Sequence, residues 1–315
     1  MAAPVRTEAT RAAYGPTLVE LVDEGYDIVA LDADLSKSTT SGKFAAKYPE
    51  RFIQCGIAEQ NMVGMAAGLA MSGKIAFCSS FACFVTNRAV DQIRVTVSYA
   101  NLNVKIVVTH GGITVGEDGA SHQAMEEIAY MRAIPNMKVM NPCDVVEAAR
   151  CVRAAADVEG PVTIRLGRAK QPVITGDDTP FALGRGILWR DGQDIALIGT
   201  GIMVQKCVTA AEQLAAIGVD ARVIGIHTID PIDEDILVAA ARDCGRVLTA
   251  EEHQTHGGFG SAVAEVLAEN QPVPMKFIGM RNCFGESGTD TDLLAKYHME
   301  TVDIVDGAKE LLKRA

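Results

Sequence analysis

Val104-Lys105-Ile106-Val107-Val108 runs straight into Thr109-His110-Gly111-Gly112-Ile113-Thr114-Val115-Gly116-Glu117-Asp118-Gly119-Ala120-Ser121-His122-Gln123. The first five residues read as a buried β-strand, short, apolar and rich in β-branched side chains. The stretch from Thr109 onward is dense in glycine and carries histidines and acids, so the chain passes from core to a loop able to approach a ligand closely. Asp27-Ile28-Val29-Ala30-Leu31 and Ile75-Ala76-Phe77-Cys78 read as strands of the same kind. Stretches of helical character separate the strands, including Glu59 to Met71 and Asn87 to Tyr99. Strands alternating with helices over short connections build a parallel sheet covered on both faces, the α/β class.

Pro161-Val162-Thr163-Ile164-Arg165-Leu166 reads as the last strand of this unit. From Ala169 to about Gly184 the periodicity stops, and Pro172, Gly176, Asp177, Asp178 and Pro180 mark a linker. Beyond it the pattern restarts with a strand from Ile195 to Ile198, a turn at Gly199-Thr200-Gly201, a helix to Ile217 and a strand from Ala221 to Ile226. Two α/β domains are expected, 1–180 and 181–315.

The 315 residues are 48% hydrophobic and 22% charged, enough apolar material for a large core. A formal net charge of -11 argues against nucleic acid as a partner, since phosphate backbones need a basic surface. It leaves room for a locally basic pocket and a small anionic substrate. The eight cysteines form no C-x-x-C pair and read as small, reduced core residues. No signal peptide and no apolar run of membrane-spanning length is evident, so the expectation is a cytoplasmic protein without membrane contact.

Open α/β sheets place their sites at the carboxyl ends of strands. After the first strand, Asp32-Ala33-Asp34-Leu35-Ser36-Lys37-Ser38-Thr39-Thr40-Ser41-Gly42 reads either as a solvated capping cluster or as part of a site. Glu59 stands at the start of a helix of small and apolar residues, where the helix dipole alone favours a glutamate. The glycine loop after Val108 reads more readily as a ligand loop than as a structural one. His110 and His122 lack a thiolate companion, which makes a metal site the weaker reading, and no metal ligand is assigned to this chain. Arg165 and Arg168 offer either a forked grip on phosphate or surface ion pairs.

In order along the chain, Gly56-Ile57-Ala58-Glu59-Gln60-Asn61-Met62, Phe81-Ala82-Cys83-Phe84, Gly116 to Gln123 and Arg168 resemble the carboxyl-terminal half of transketolase. His227-Thr228-Ile229-Asp230-Pro231-Ile232-Asp233, Glu251-Glu252-His253 and Gly257-Gly258-Phe259-Gly260-Ser261 are similar to that family's C-terminal domain. The resemblance implies a pyrimidine-type thiamine-diphosphate-binding domain with a parallel sheet, followed by a smaller α/β transketolase C-terminal domain. It implies a catalytic Glu59 that exchanges a proton with the ring nitrogen N1′ of thiamine diphosphate, with His122 as a second catalytic group. Phe84 would stack on the aminopyrimidine, Phe81 would line the same pocket, and Asp34 falls on an acid near the cofactor. Arg11, Ser38, His110 and Arg168 fall on donors to a sugar phosphate, while Asp118 and His122 fall on contacts to substrate hydroxyls. Where the family often has a tyrosine, this chain has Asn87.

The family's diphosphate motif, Gly-Asp-Gly followed by asparagines, is missing from this chain. The resemblance therefore implies a second, amino-terminal transketolase subunit that holds Mg2+ and the diphosphate, with the cofactor at the interface of an α2β2 heterotetramer. The implied reaction moves a two-carbon ketol unit from a ketose phosphate to an aldose phosphate. Rival readings are a deoxyxylulose-phosphate-synthase-like transfer, the beta subunit of a 2-oxo acid dehydrogenase, and a catalytically silent scaffold subunit. A scaffold has no use for Glu59, Phe84, Asp118 and His122 together.

Overall fold

A computed structural model describes residues 6–313 of the chain, so the outermost residues of the expected domains, 1–5 and 314–315, lie outside the described residues. A seven-stranded sheet forms the first layer, in the order Thr228–Asp230, Lys138–Met140, Val162–Arg165, Val104–Thr109, Ile75–Phe81, Ile28–Asp32 and Phe52–Gln54. All its neighbours pair in parallel except Thr228–Asp230, which runs antiparallel to Lys138–Met140. The second sheet has five strands, in the order Met275–Met280, Val247–Gln254, Ile195–Gly199, Ala221–Gly225 and Ile187–Arg190, with only the last pair antiparallel.

Val104–Thr109 lies at the centre of the first sheet and is buried along its whole length, which is why it reads as a continuous apolar run. Lys105 is the exception in composition but not in burial. Its amine donates to the carbonyls of Val158 (2.6 Å) and Gly160 (2.7 Å), just beyond the end of the helix Val145–Asp157. Helix Glu59–Met71 buries Met62, Val63, Ala66 and Ala67 against the sheet. Each of the two larger side chains contributes about 1.5–3 kcal/mol by leaving water. That packing fixes the first turn of the helix, and with it Glu59.

Four differences from the sequence reading have local causes. The strand at Ile75 runs on to Phe81. The helix expected from Asn87 is instead Ala82–Arg88, followed by a wide-turned segment Gln92–Ser98. Aromatic residues at 81 and 84 mask the helical period there. Part of the expected linker, Lys170–Pro172, pairs antiparallel with Thr7–Ala9, strands too short to show alternation. Thr228–Asp230 crosses from beyond the linker to edge the first sheet, so the two halves share a sheet.

Arg165 is neither a phosphate grip nor a surface pair. It is buried, its Nε bonds the Glu127 carboxylate, and its Nη2 donates to the Glu252 carbonyl at 2.7 Å. The Glu252 carboxylate in turn accepts from the Thr114 amide at 2.6 Å, so a strand of the second sheet braces the glycine loop of the first. Among the described residues, no helix is long and apolar enough to cross a membrane.

Candidate functional site

The carboxyl ends of Ile28–Asp32, Ile75–Phe81 and Val104–Thr109 open on one edge of the sheet, and the loops beyond them carry the residues singled out above. Asp32 organises the first loop. Its buried carboxylate accepts from the Leu35 amide (2.6 Å) and from the hydroxyls of Thr39 (2.7 Å), Ser41 (2.9 Å) and Ser79 (3.1 Å). Asp34 stands exposed in a left-handed conformation, φ 64°, with its amide on the Gln54 side-chain oxygen at 2.7 Å. Ser38 lends its carbonyl to Nη1 of Arg11 at 2.8 Å.

Glu59 is only 1% exposed although it opens its helix. A solvated first-turn glutamate does not look like this. Its Oε2 accepts from Nη1 of Arg88 at 2.7 Å, and no other hydrogen bond of its carboxylate is present among the described residues. Arg88 also sits over the Phe84 ring, 5.6 Å from its centroid. The half-buried Phe84 stacks on Phe81 at 5.7 Å and meets the edge of the His122 ring at 5.3 Å. Phe81 in turn stacks on His110 at 3.7 Å.

His110 continues the row to Arg11, whose Nη1 lies 3.2 Å from its Nε2. Burial pushes His110 down to about 3, and the nearby charges of Arg11, Arg168 and His122 add to the effect. Arg168 donates to the Val115 carbonyl (2.5 Å) and to the Glu117 carboxylate (2.8 Å) on the glycine loop. Asp118 is exposed on that same loop. The loop turns back at Gly112, φ +90°, where a Cβ would run into the Glu252 carboxylate. Gln123 closes it by donating to the carbonyls of Ile113 (3.2 Å) and Glu286 (3.0 Å).

Glu59, Arg88, Phe84, Phe81, His122, His110, Arg11 and Ser38 thus form one unbroken row of contacts, with Arg168 electrostatically coupled to it. Asp34 and Asp118 flank it with exposed side chains that bind no partner among the described residues. Sequence reasoning passed over Arg88, whereas it read the loop that Asp32 opens as either a capping cluster or part of a site. Nothing in spacing joins Arg88 to a residue 29 positions earlier, while Asp32 followed by a run of hydroxyl residues was a legible cap signal. Among the described residues, no group of three or more His, Cys, Asp or Glu side chains is placed to hold a metal ion.

The transketolase pyrimidine-binding domain matches residues 6–173, and the transketolase C-terminal domain matches residues 184–304. A 6-deoxy-6-sulfo-D-fructose transketolase subunit of Clostridium sp. (strain MSTE9) is 41% identical, covering 96% of this chain and 94% of its own. An apulose-4-phosphate transketolase subunit of Phocaeicola vulgatus is 38% identical, covering 97% of this chain and 98% of its own. A solved split-gene transketolase, described as an inactive beta4 tetramer, superposes with a TM-score of 0.90 at 49% identity, covering 96% of this chain and 98% of that one. With both domains matched in order and relatives of the same length, this chain belongs to the transketolase family.

Proposed function

We propose that this chain is the carboxyl-terminal subunit of a split, thiamine-diphosphate-dependent transketolase, and that it grips the aminopyrimidine end of the cofactor. One observation carries the reading. A buried carboxylate with an unengaged oxygen shares Arg88 with a half-buried aromatic ring, at one end of a row that reaches Arg11. The residues present suit the aminopyrimidine, because Phe84 offers a face for stacking and Oε1 of Glu59 offers an acceptor to a ring nitrogen.

Bound there, thiamine diphosphate supplies the electron sink for making and breaking the carbon–carbon bond. Glu59 holds and moves the proton at N1′, and Phe81 and Asp34 line the ring. His122 and Asp118 read the substrate hydroxyls. Arg11, Ser38, His110 and Arg168 receive the anionic end of a sugar phosphate. The relatives' names carry a sulfo group in one case and a phosphate in the other, and a corner rich in arginine suits either anion.

Asp34 and Asp118 lie on an exposed face rather than in a closed pocket. An amino-terminal-type transketolase subunit completes that face, holds Mg2+ and the diphosphate, and assembles with this chain as α2β2. Free cysteines throughout the described residues fit a cytoplasmic setting.

The test is reconstitution with the partner subunit, thiamine diphosphate and magnesium. Ketol transfer from a ketose phosphate is expected, without turnover of a 2-oxo acid. Glu59→Gln lowers the rate by about a hundredfold or more while assembly persists. Substantial activity of this chain alone, or full activity of Glu59→Gln, overturns the reading.

A further inference from the structure

Arg88 is not among the residues through which the chain resembles its family, yet it holds the group on which the proposed chemistry turns. Glu59 is 1% exposed, and a carboxylate so far from water stays ionised only beside a cation or strong donors. Arg88 supplies that cation from the end of a different helix, Ala82–Arg88. Its guanidinium lies over the Phe84 ring, which steadies an otherwise half-exposed side chain.

The charged and titratable neighbours leave the pair undisturbed. The Cys83 thiol feels Glu127, Arg88 and Glu59 together, but burial pushes it up to about 12 and it stays neutral. Glu127 is already engaged by Arg165, and His122 lies across the Phe84 ring. Arg94, on the helical segment packed against Glu59–Met71, and Asp91, at the N-cap of that segment, are exposed to solvent.

We propose that Arg88 is a positioning residue for Glu59, pinning Oε2 of the buried carboxylate as an anion and leaving Oε1 to face the cofactor's ring nitrogen. This rests on the reading of Glu59 given above. It assigns Arg88 no contact with substrate.

The test has two arms. In the full chain without cofactor, thermal unfolding of Arg88→Met, Glu59→Gln and the double variant forms a cycle, measured at about pH 8 and about pH 5.5. Arg88→Met is expected to lose stability at the higher pH and recover it at the lower, where the stranded carboxyl takes up a proton. Adding Glu59→Gln cancels the loss. In the complex reconstituted with its partner, Arg88→Met lowers kcat by about tenfold and moves the acidic limb of the pH–rate profile upward by about one unit. Thiamine diphosphate affinity changes less than kcat, and Arg88→Lys restores most of the rate. Additive losses in the cycle together with an unmoved profile overturn the proposal. That failure is separate from failure of the cofactor reading, which shows as full activity of Glu59→Gln.

Discussion

Nη1 of Arg11 lies 3.2 Å from Nε2 of His110, and this one contact fixes the tautomer of the imidazole. A guanidinium has donors and no acceptor, so Nε2 must receive. The ring proton then sits on Nδ1, 2.9 Å from the Thr109 hydroxyl. Burial, reinforced by the charges of Arg11 and Arg168, pushes His110 down to about 3, so a neutral ring sits beside the arginines at the proposed anion corner.

That placement gives the stability of the chain a pH slope. An unfolded histidine titrates near 6.5, while the folded one waits until about 3. Between those values the unfolded chain binds a proton that the folded chain does not. Stability therefore falls on acidification through this window, by up to about 1.4 kcal/mol per pH unit from this group. His110→Asn removes the contribution, so denaturation should show a shallower loss from about pH 6.5 to about pH 5 than in the unsubstituted chain. Parallel slopes in the two proteins would count against the placement.

Gly112 separates backbone strain from collision. It adopts φ +90° with the Glu252 carboxylate where a side chain would begin, whereas Gly25 adopts φ +102° with open space around it. Gly25→Ala carries the conformational cost alone, about 1–2 kcal/mol. Gly112→Ala adds displacement of a carboxylate that holds the Thr114 amide, for a total of about 3 kcal/mol or more. Chemical denaturation of the two variants compares them directly, and equal losses would mean that Glu252 yields freely.

The architecture was legible wherever a physical pattern repeats over several residues. Helix Glu59–Met71 was read with its bounds, because thirteen residues of small and apolar side chains leave little alternative. The central strand announced itself by burial on both faces. Thr7–Ala9 and Thr228–Asp230 stayed hidden, since three residues hold no period and their partners lie far away in the chain. At the site, several of the residues that resemblance named lie in one row while Asp34 and Asp118 stay outside it, and the geometry adds what no motif carries. Arg88 meets Glu59 only because two helices pack side by side. Arg165 read equally as a phosphate grip or a surface ion pair, and the fold instead enclosed it with Glu127 and Glu252.

Asp32 couples the fold to the proposed substrate corner, and its replacement tests that coupling. Its carboxylate gathers the Leu35 amide and the Thr39, Ser41 and Ser79 hydroxyls, and so shapes the loop on which Asp34 and Ser38 ride. Asp32→Ala strands those donors in a buried place, at a cost of about 3 kcal/mol or more. Asp32→Asn keeps one acceptor oxygen, and the hydroxyls can turn to receive from its amide, so about 1–2 kcal/mol is expected. The Ser38 carbonyl holds Arg11, so a loosened loop also loosens the arginine of the proposed anion corner. In the reconstituted complex, Asp32→Asn should therefore raise KM for a phosphorylated ketose more than it lowers kcat, because the group disturbed belongs to the corner proposed for the substrate's anionic end and not to the reacting carbon. A kcat loss with KM unchanged would show that the loop serves the cofactor side instead, and unaltered stability of Asp32→Ala would show that the buried carboxylate does not hold the loop at all.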